Sequence, residues 1–273
     1  MSLDISELLK NWPYEPGQVT ARRIRGDDGR DKIQLRLDLG IYQMEVAGRP
    51  DGQRPYECES LLEHFQNELA VYRRKHGTDE GFAVDDRNCE LLRAEASMYY
   101  HRYLAMFILE DFDAVERDTM HNIGVMDFCA AFAGSEADRA QMEQYRPYVL
   151  MMHTRSQALK AYRGRSVRAA LYAVRTGMQR IREFYRQGGM EKHAVEQTSE
   201  LVILGAMARE IESRLPVDPT ARIRQDLKRA VREERYEDAA QLRDRLKEFR
   251  QKSAAKSSVV SSEDDESNAD KEP

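Results

Sequence analysis

The chain has 273 residues, of which 41% are hydrophobic and 33% charged, and its formal net charge is −5. This composition supports a sizeable core but is polar for a globular protein. The sequence contains no long apolar run, and the opening "MSLDISELLKNWPYEPG" lacks a basic region followed by an apolar stretch and a cleavage site. We therefore expect neither a membrane span nor a secretory signal, and we expect a cytoplasmic protein.

The residues that most often carry catalysis or bind metals are scattered along the chain. Cys58, Cys89 and Cys129 include no C-x-x-C pair, and the six histidines include no H-E-x-x-H motif. We expect three reduced cysteines that serve packing, and we expect no metal, no cofactor and no enzymatic activity. An enzyme of an unrecognised type that uses the loop from Arg49 to Arg54 remains an alternative.

Residues 1–55 are expected to form a short helix followed by an antiparallel β-ribbon. The run "ISELLKNW" is amphipathic and is stopped by Pro13. Apolar residues then alternate with polar ones along a predicted strand, at Ile33, Leu35, Leu37, Leu39 and Ile41. The preceding "GDDGR" is typical of a hairpin turn, so residues 19–25 should pair with residue 32 onward. A third strand would arise if the long strand were divided near Gly40.

The predicted ribbon ends in "AGRPDGQRP", residues 47–55, which is rich in turn-forming residues. Arg49 and Arg54 bracket this turn. Turn chemistry explains the glycines and prolines, and a site in which the two guanidinium groups hold an anion is the alternative.

Residues 56–215 are expected to form an α-helical body of five or six helices, with breaks near "HGTDEG", "FAGSEA", "YRP" and "RQGG". The aromatic run "MYYHRYLAMF", residues 98–107, suits a helix that is packed on both sides. A cofactor-binding role for this run is the alternative.

Two segments of the predicted body look alike. Each has a helix of small and aromatic residues, a short polar turn, a bulky residue (Phe112 or Val167) and a second helix, with Val115 and Ala170 at matching positions 55 residues apart. This arrangement resembles a tetratricopeptide-type helical hairpin. The resemblance implies a stack of α-hairpins whose concave surface could bind a peptide or a helix.

Charge is distributed unevenly along the chain. Residues 57–138 contain 18 acidic and 7 basic side chains, whereas residues 155–186 contain nine basic residues and one acid. One interpretation is that the two regions complement each other within the fold; the other is that the basic strip binds nucleic acid or an acidic partner. The strip consists of Arg155, Lys160, Arg163, Arg165, Arg168, Arg175, Arg180, Arg182 and Arg186.

The C-terminal part of the sequence divides into three pieces. "PVDPT", residues 216–220, predicts a short, stiff linker. Residues 219–251 predict a helical hairpin, and residues 253–273, rich in Ser, Asp and Glu, predict a disordered acidic tail.

The predicted hairpin has apolar residues at helical spacing on both sides of "ERYEDAA". Its "YEDAAQLRDRL" core is similar to the UVR motif that the excinuclease subunits UvrB and UvrC share with some partners of Clp proteases. The resemblance implies that two such hairpins pack into a four-helix bundle, either as two copies or with the hairpin of a partner. The residues expected to bind the partner are Ile223, Leu227, Val231, Tyr236, Ala239, Ala240, Leu242, Arg243, Asp244, Leu246 and Phe249.

The sequence therefore predicts a mainly α protein that acts through protein–protein interaction. It would combine a helical-hairpin body, an N-terminal β-ribbon and a UVR hairpin that self-associates or docks onto another UVR-bearing protein. The alternative is a nucleic-acid-associated accessory protein, similar to DNA-repair proteins, that uses the basic strip between residues 155 and 186.

Overall fold

The computed structural model of the protein describes residues 5–214 and 219–248. The helices are α1 Ser6–Lys10, α2 Leu61–His76, α3 Asp86–Ile108, α4 Phe112–Phe132, α5 Glu136–Glu143, α6 Arg146–Arg163, α7 Val167–Gln187, α8 Lys192–Glu196, α9 Ser199–Ser213 and α10 Pro219–Arg232, and residues 236–248 are also helical. The strands are β1 Thr20–Arg25, β2 Asp31–Arg36 and β3 Ile41–Glu45. The predicted mainly α fold with a short N-terminal helix and antiparallel β-structure is confirmed.

The sheet has the order β1-β2-β3 and both pairings are antiparallel. Arg23 lies opposite Ile33, which in turn lies opposite Met44. The first turn is closed by a hydrogen bond from the Gly26 amide to the Arg30 carbonyl at 2.8 Å. The hairpin predicted from "GDDGR" is therefore confirmed, and so is the division of the long strand near Gly40.

The predicted apolar face of the long strand is only partly buried. Ile33 and Leu35 are fully buried, whereas Leu39 is 86% exposed. The amide of Leu37 donates to the carbonyl of Gly40 at 2.9 Å, so the chain turns at residues 37–40. The prediction that Leu39 continues the apolar face is wrong, because this turn places its side chain in solvent.

The polar face of β2 is also buried, since cross-strand partners and the N-terminal segment cover it. Gln34 accepts a hydrogen bond from Arg22 at 2.7 Å and donates one to Gln43 at 2.8 Å. Arg36 donates to the carbonyl of Trp12 at 2.9 Å. These partners satisfy the polar groups that burial removes from water.

Residues 56–214 contain eight helices, α2 to α9, which is more than the five or six predicted. Two of them, α5 and α8, have only 8 and 5 residues. These short helices account for the difference, whereas the turn between α3 and α4, "LED", was expected from the hairpin pattern although it contains neither Gly nor Pro.

The α3–α4 and α6–α7 hairpins have the same turn. Three residues separate the helices in each, and the middle residue, Glu110 or Arg165, has φ 59°. The amide of the next residue donates to the carbonyl five residues before it, at 2.9 Å in the first turn and 3.0 Å in the second. This pattern is that of a Schellman C-cap. Val115 and Ala170, the predicted matching positions, are both fully buried.

A buried ion pair joins α3 and α4, and its arginine also binds the end of β3 and the turn that follows it. Arg102 binds both carboxylate oxygens of Asp118, at 2.7 and 2.8 Å. Its remaining nitrogen donates to the carbonyls of Glu45 at 3.0 Å and Gly48 at 2.8 Å. The sheet, which packs on α3 through β1 and β2, is thereby fastened to the helical body.

The chain divides into two compact units between Arg214 and Leu215. The first contains the sheet and α1 to α9, and the second contains the C-terminal hairpin. The predicted disordered tail at residues 253–273 and most of the predicted linker lie outside the described residues.

Candidate protein-docking hairpin

The C-terminal hairpin consists of α10, a three-residue turn and the helix of residues 236–248. Glu234, the middle residue of the turn, has φ 57°. The amide of Arg235 donates to the carbonyl of Ala230 at 2.9 Å. The turn therefore has the same conformation as the turns of the two hairpins in the helical body, and it reverses the chain so that the second helix follows α10 directly.

The buried apolar residues of the hairpin are mirror images about this turn. Ala230 and Ala239 are 1% and 8% exposed, and Ile223 and Leu246, seven residues further out on each side, are 8% and 9% exposed. Both pairs are symmetric about the peptide bond between Glu234 and Arg235, as expected when two helices pack along one seam. The small alanines lie nearest the turn, and small side chains allow two helices to approach closely.

A second set of apolar residues is not fully covered. Leu227 and Leu242 are also symmetric about the peptide bond between Glu234 and Arg235, and both are half-buried. Val231 is 53% exposed and Tyr236 is 68% exposed. The hairpin thus presents apolar surface beyond its own seam, which is typical of an element that packs against another surface.

The structure separates the predicted partner-binding residues into three groups. Ile223, Ala239 and Leu246 are buried, and Leu227 and Leu242 are half-buried. The exposed ones are Val231, Tyr236, Ala240, Arg243 and Asp244. Phe249 lies outside the described residues.

Short-range ion pairs border the hairpin turn. Arg235 binds Glu233 at 2.7 Å and Asp238 at 2.7 Å. The hydrogen bond with Glu233 and the charges of both carboxylates raise the pKa of Arg235. Arg243 and Asp244 also contact each other, at 3.2 Å. These exposed pairs add little stability. The half-buried Leu227 and Leu242 form part of the apolar surface of the hairpin.

Several members of the predicted basic strip are paired with carboxylates. Lys160 binds Glu116 at 3.2 Å and Arg163 binds Glu110, so part of the strip does meet the acidic region of residues 57–138. Arg175 binds Glu212 at 2.6 Å, outside that region. The strip is therefore not a uniformly positive surface.

Within residues 5–214, the other members of the basic strip form no ion pair with the acidic region of residues 57–138. The guanidinium group of Arg155 lies 4.4 Å from the ring centroid of Phe107, and burial lowers its pKa. Arg165 and Arg168 are exposed, and among the described residues neither has an ion-pair partner. Arg182 and Arg186 pair with Glu196 and Glu183, whereas Arg180 is exposed.

The guanidinium groups of the predicted anion loop already face carboxylates. Arg49 lies 3.3 Å from Asp51 and 3.4 Å from Glu95. Arg54 binds Glu59 at 2.8 Å. An external anion would therefore have to displace these carboxylates.

Glu95 belongs to a buried polar cluster that the sequence did not indicate. Its carboxylate accepts hydrogen bonds from the amides of Leu61 at 2.8 Å and Leu62 at 3.2 Å, at the start of α2. Burial by itself would raise the pKa of Glu95, but the contact with His121 and the two amides together lower it. No sequence signal marks this site, because its partners are 26 to 46 residues away.

Within residues 5–214 and 219–248, no group of three or more His, Cys, Asp or Glu side chains is arranged to hold a metal ion. Among the same residues, no helix has both the length and the apolar character needed to cross a membrane.

A comparison with known protein families concerns the C-terminal hairpin. Its two helices and their shared buried seam form a C-terminal αα-hairpin. Residues 220–252 match the family model described as the UvrB/uvrC motif. The chain thus contains a UVR motif, which is associated with protein interactions and with DNA repair, and the predicted resemblance is confirmed.

The family match covers the hairpin and no part of the helical body. The tetratricopeptide resemblance therefore stays a prediction. No curated protein and no solved structure matches the chain.

Proposed function

We propose that the protein is a non-enzymatic adaptor or scaffold whose UVR hairpin self-associates or docks onto the hairpin of another UVR-bearing protein. The observation that carries this proposal is the half-buried pair Leu227 and Leu242. These leucines are equivalent positions on the two helices, and the hairpin covers neither of them completely.

The physical argument concerns the size of the hairpin. A unit of about thirty residues buries little apolar surface, and that burial barely offsets the cost of ordering its backbone. A second hairpin packed over Leu227 and Leu242 would double the buried seam. The exposed Val231 and Tyr236 would then lie at or near the border of the four-helix interface.

The test is a Leu242→Asp variant of the full chain, compared with the wild type and with Glu248→Ala. A carboxylate at residue 242 would be buried without a partner in the paired hairpins, at a cost of a few kcal/mol. Glu248 is exposed, so its removal should cost less than about 1 kcal/mol. Light scattering measures self-association, and affinity capture measures docking to other proteins.

We expect Leu242→Asp to lose the self-association or the captured partners of the wild type, while Glu248→Ala retains them. Circular dichroism should show that the helical body still melts cooperatively in both variants. The proposal is wrong if wild type and Leu242→Asp are the same single species in solution and also capture the same proteins.

A second candidate function, nucleic-acid association, rests on a smaller surface than the full basic strip. Arg165 in the turn before α7 is exposed, as are Arg168 and Tyr172 near the start of α7, and Tyr172 is 73% exposed. Arginine beside an exposed aromatic ring is suited to a phosphate backbone with stacked bases. A single-stranded oligonucleotide should bind with an affinity that falls steeply as salt rises and that drops in Arg168→Ala. An oligonucleotide affinity that changes neither with salt nor in Arg168→Ala would contradict this candidate function.

A further inference from the structure

A cleft in the helical body lies between α3, α4, the end of α5 and the start of α6. Its volume is about 520 Å³, which is within the range of sites that bind small organic molecules. The cleft belongs entirely to the first unit of the chain, and neither the UVR hairpin nor the basic strip contributes to it. It includes part of the "MYYHRYLAMF" run, for which the sequence left a ligand-binding role open.

The floor of the cleft is buried and mostly apolar. Met126 and Met142 are each 2% exposed, and Val149 is also 2% exposed. Methionine side chains adapt their shape to the molecule that they contact. An apolar group that reached this floor would be almost completely removed from water.

One polar atom on the floor has no partner. Asn122 is 3% exposed, and its Nδ2 donates to the carbonyl of Ala96 at 2.9 Å. This bond fixes the orientation of the amide, so Oδ1 is the atom left over, and it is buried without a hydrogen bond. A buried acceptor without a partner is costly, and a donor from a bound molecule would satisfy it.

Tyrosine rings form much of the cleft wall. Tyr100 meets Tyr103 edge to face, with centroids 5.5 Å apart, and its centroid lies 6.1 Å from that of Tyr148. Tyr145 is 57% exposed at the rim. Rings in these orientations offer faces and edges against which a flat molecule can pack.

The charges at the cleft do not favour an ionic ligand. Burial raises the pKa values of Tyr103 and Tyr148, so both hydroxyls stay protonated at neutral pH. Arg93 lines the cleft, but its guanidinium group is bound to Asp138 at 2.5 Å. The lining contains no carboxylate. A neutral molecule therefore loses least solvation on entering.

We propose that this cleft is a binding site for an uncharged, flat molecule that carries an N–H donor, of the class of aromatic amides. The ring packs between Tyr100, Tyr145 and Tyr148 above the methionine floor. The N–H group donates to Oδ1 of Asn122. The unpartnered amide oxygen, the tyrosine walls and the volume together select this class.

Benzamide is the probe, and saturation-transfer NMR with the full chain measures its affinity. Methyl benzoate has the same ring and a neutral polar group but no donor, and benzoate is the anionic counterpart. Two variants address the cleft: Asn122→Leu removes the acceptor, and Tyr145→Ala removes a rim ring that is exposed and not needed for the core. Tyr56→Ala is the control, because Tyr56 is 65% exposed and lies outside the cleft.

We expect benzamide to bind the wild type and the Tyr56→Ala control equally. Its affinity should fall about fivefold in Asn122→Leu, which is the value of one neutral hydrogen bond, and should also fall in Tyr145→Ala. Methyl benzoate and benzoate should bind more weakly than benzamide. If Asn122→Leu does not fold, Tyr145→Ala and the comparison of the three probes decide the matter.

Three results would overturn the proposal. The first is an absence of benzamide binding to the wild type. The second is a benzamide affinity that Tyr145→Ala leaves unchanged. The third is methyl benzoate binding as tightly as benzamide, because the donor would then have no role.

Discussion

Gly177 of α7 lies directly against Thr154 of α6. A Cβ atom added at Gly177 would be 1.9 Å from Oγ1 of Thr154 and 2.4 Å from its Cγ2. Thr154 is itself 3% exposed and cannot move into solvent. The absence of a side chain at residue 177 thus allows the close approach of α6 and α7.

Gly177→Ala should therefore destabilise the protein by about 1–3 kcal/mol, because the new methyl group overpacks the contact with Thr154. Without this contact the substitution would stabilise α7 by about 1 kcal/mol, since alanine favours helices more than glycine does. Urea unfolding followed by circular dichroism measures the difference.

Gly205→Ala on α9 is the matched control for this substitution. A Cβ atom there would meet nothing closer than 3.7 Å, so the free energy of unfolding should stay the same or rise. Equal stability of the Gly177→Ala and Gly205→Ala variants would contradict the packing argument.

Asp118→Asn should destabilise the protein by about 3–5 kcal/mol, because it leaves the buried guanidinium group of Arg102 without its counter-charge. The side chains of both residues are at most 1% exposed. Arg23→Ala removes the more exposed ion pair with Asp111, at 2.9 Å, and should cost less than about 1 kcal/mol. Thermal unfolding of both variants provides the comparison, and similar losses in the two would show that burial of the pair is unimportant.

The three cysteines should differ in reactivity. Burial raises the pKa of the Cys129 thiol to about 12 and also raises that of Cys89, so neither forms the reactive thiolate at neutral pH. Cys58 is only half-buried. A thiol reagent should modify one cysteine in the native protein and three in denaturant, as counted by mass spectrometry. Rapid modification of Cys129 in the native protein would contradict this assignment.

His153 should make the stability pH-dependent. Its imidazole is 4% exposed and contacts the hydroxyl of Thr119 at 3.0 Å. Burial lowers its pKa from 6.5, so the unfolded state binds the proton more readily than the folded state. The stabilising contribution is complete above pH 6.5 and is lost as the pH falls from 6.5 towards the folded pKa.

The measurement is the unfolding free energy of wild type and His153→Gln across this pH range. The variant should show a weaker loss of stability on acidification, because the group that titrates is gone. His193→Gln is the control, since His193 is exposed on α8, and it should behave as the wild type does. An identical pH dependence in all three proteins would contradict the role of His153.

Some features of the protein follow from local sequence. The hairpin turn between β1 and β2 was predictable from "GDDGR", because its conformation depends on Asp and Gly residues that tolerate positive φ. The UVR hairpin was predictable because its pattern is contained in about thirty consecutive residues. Ala230 and Ala239 lie at the helical spacing that the turn then brings together.

Other features depend on residues that are far apart in the chain. Leu39 fits the period of a buried strand, yet a turn places it in solvent. The pairing of Lys160 with Glu116 was one of two open interpretations, because the charge pattern alone does not say which helices are neighbours. Sequence periodicity indicates which face of a helix or strand is apolar. It does not indicate which other element packs against that face.

The cleft shows the same limit most clearly. The sequence placed Tyr100 in an aromatic helix, and helical spacing alone favoured a side chain packed in the core. Only the tertiary structure brought Tyr148 of α6 beside it and left Oδ1 of Asn122 without a partner. A cavity is space that the surrounding elements leave unfilled, so its position depends on how all of these elements pack. The turns and the UVR hairpin depend instead on interactions between residues that are near each other in the sequence.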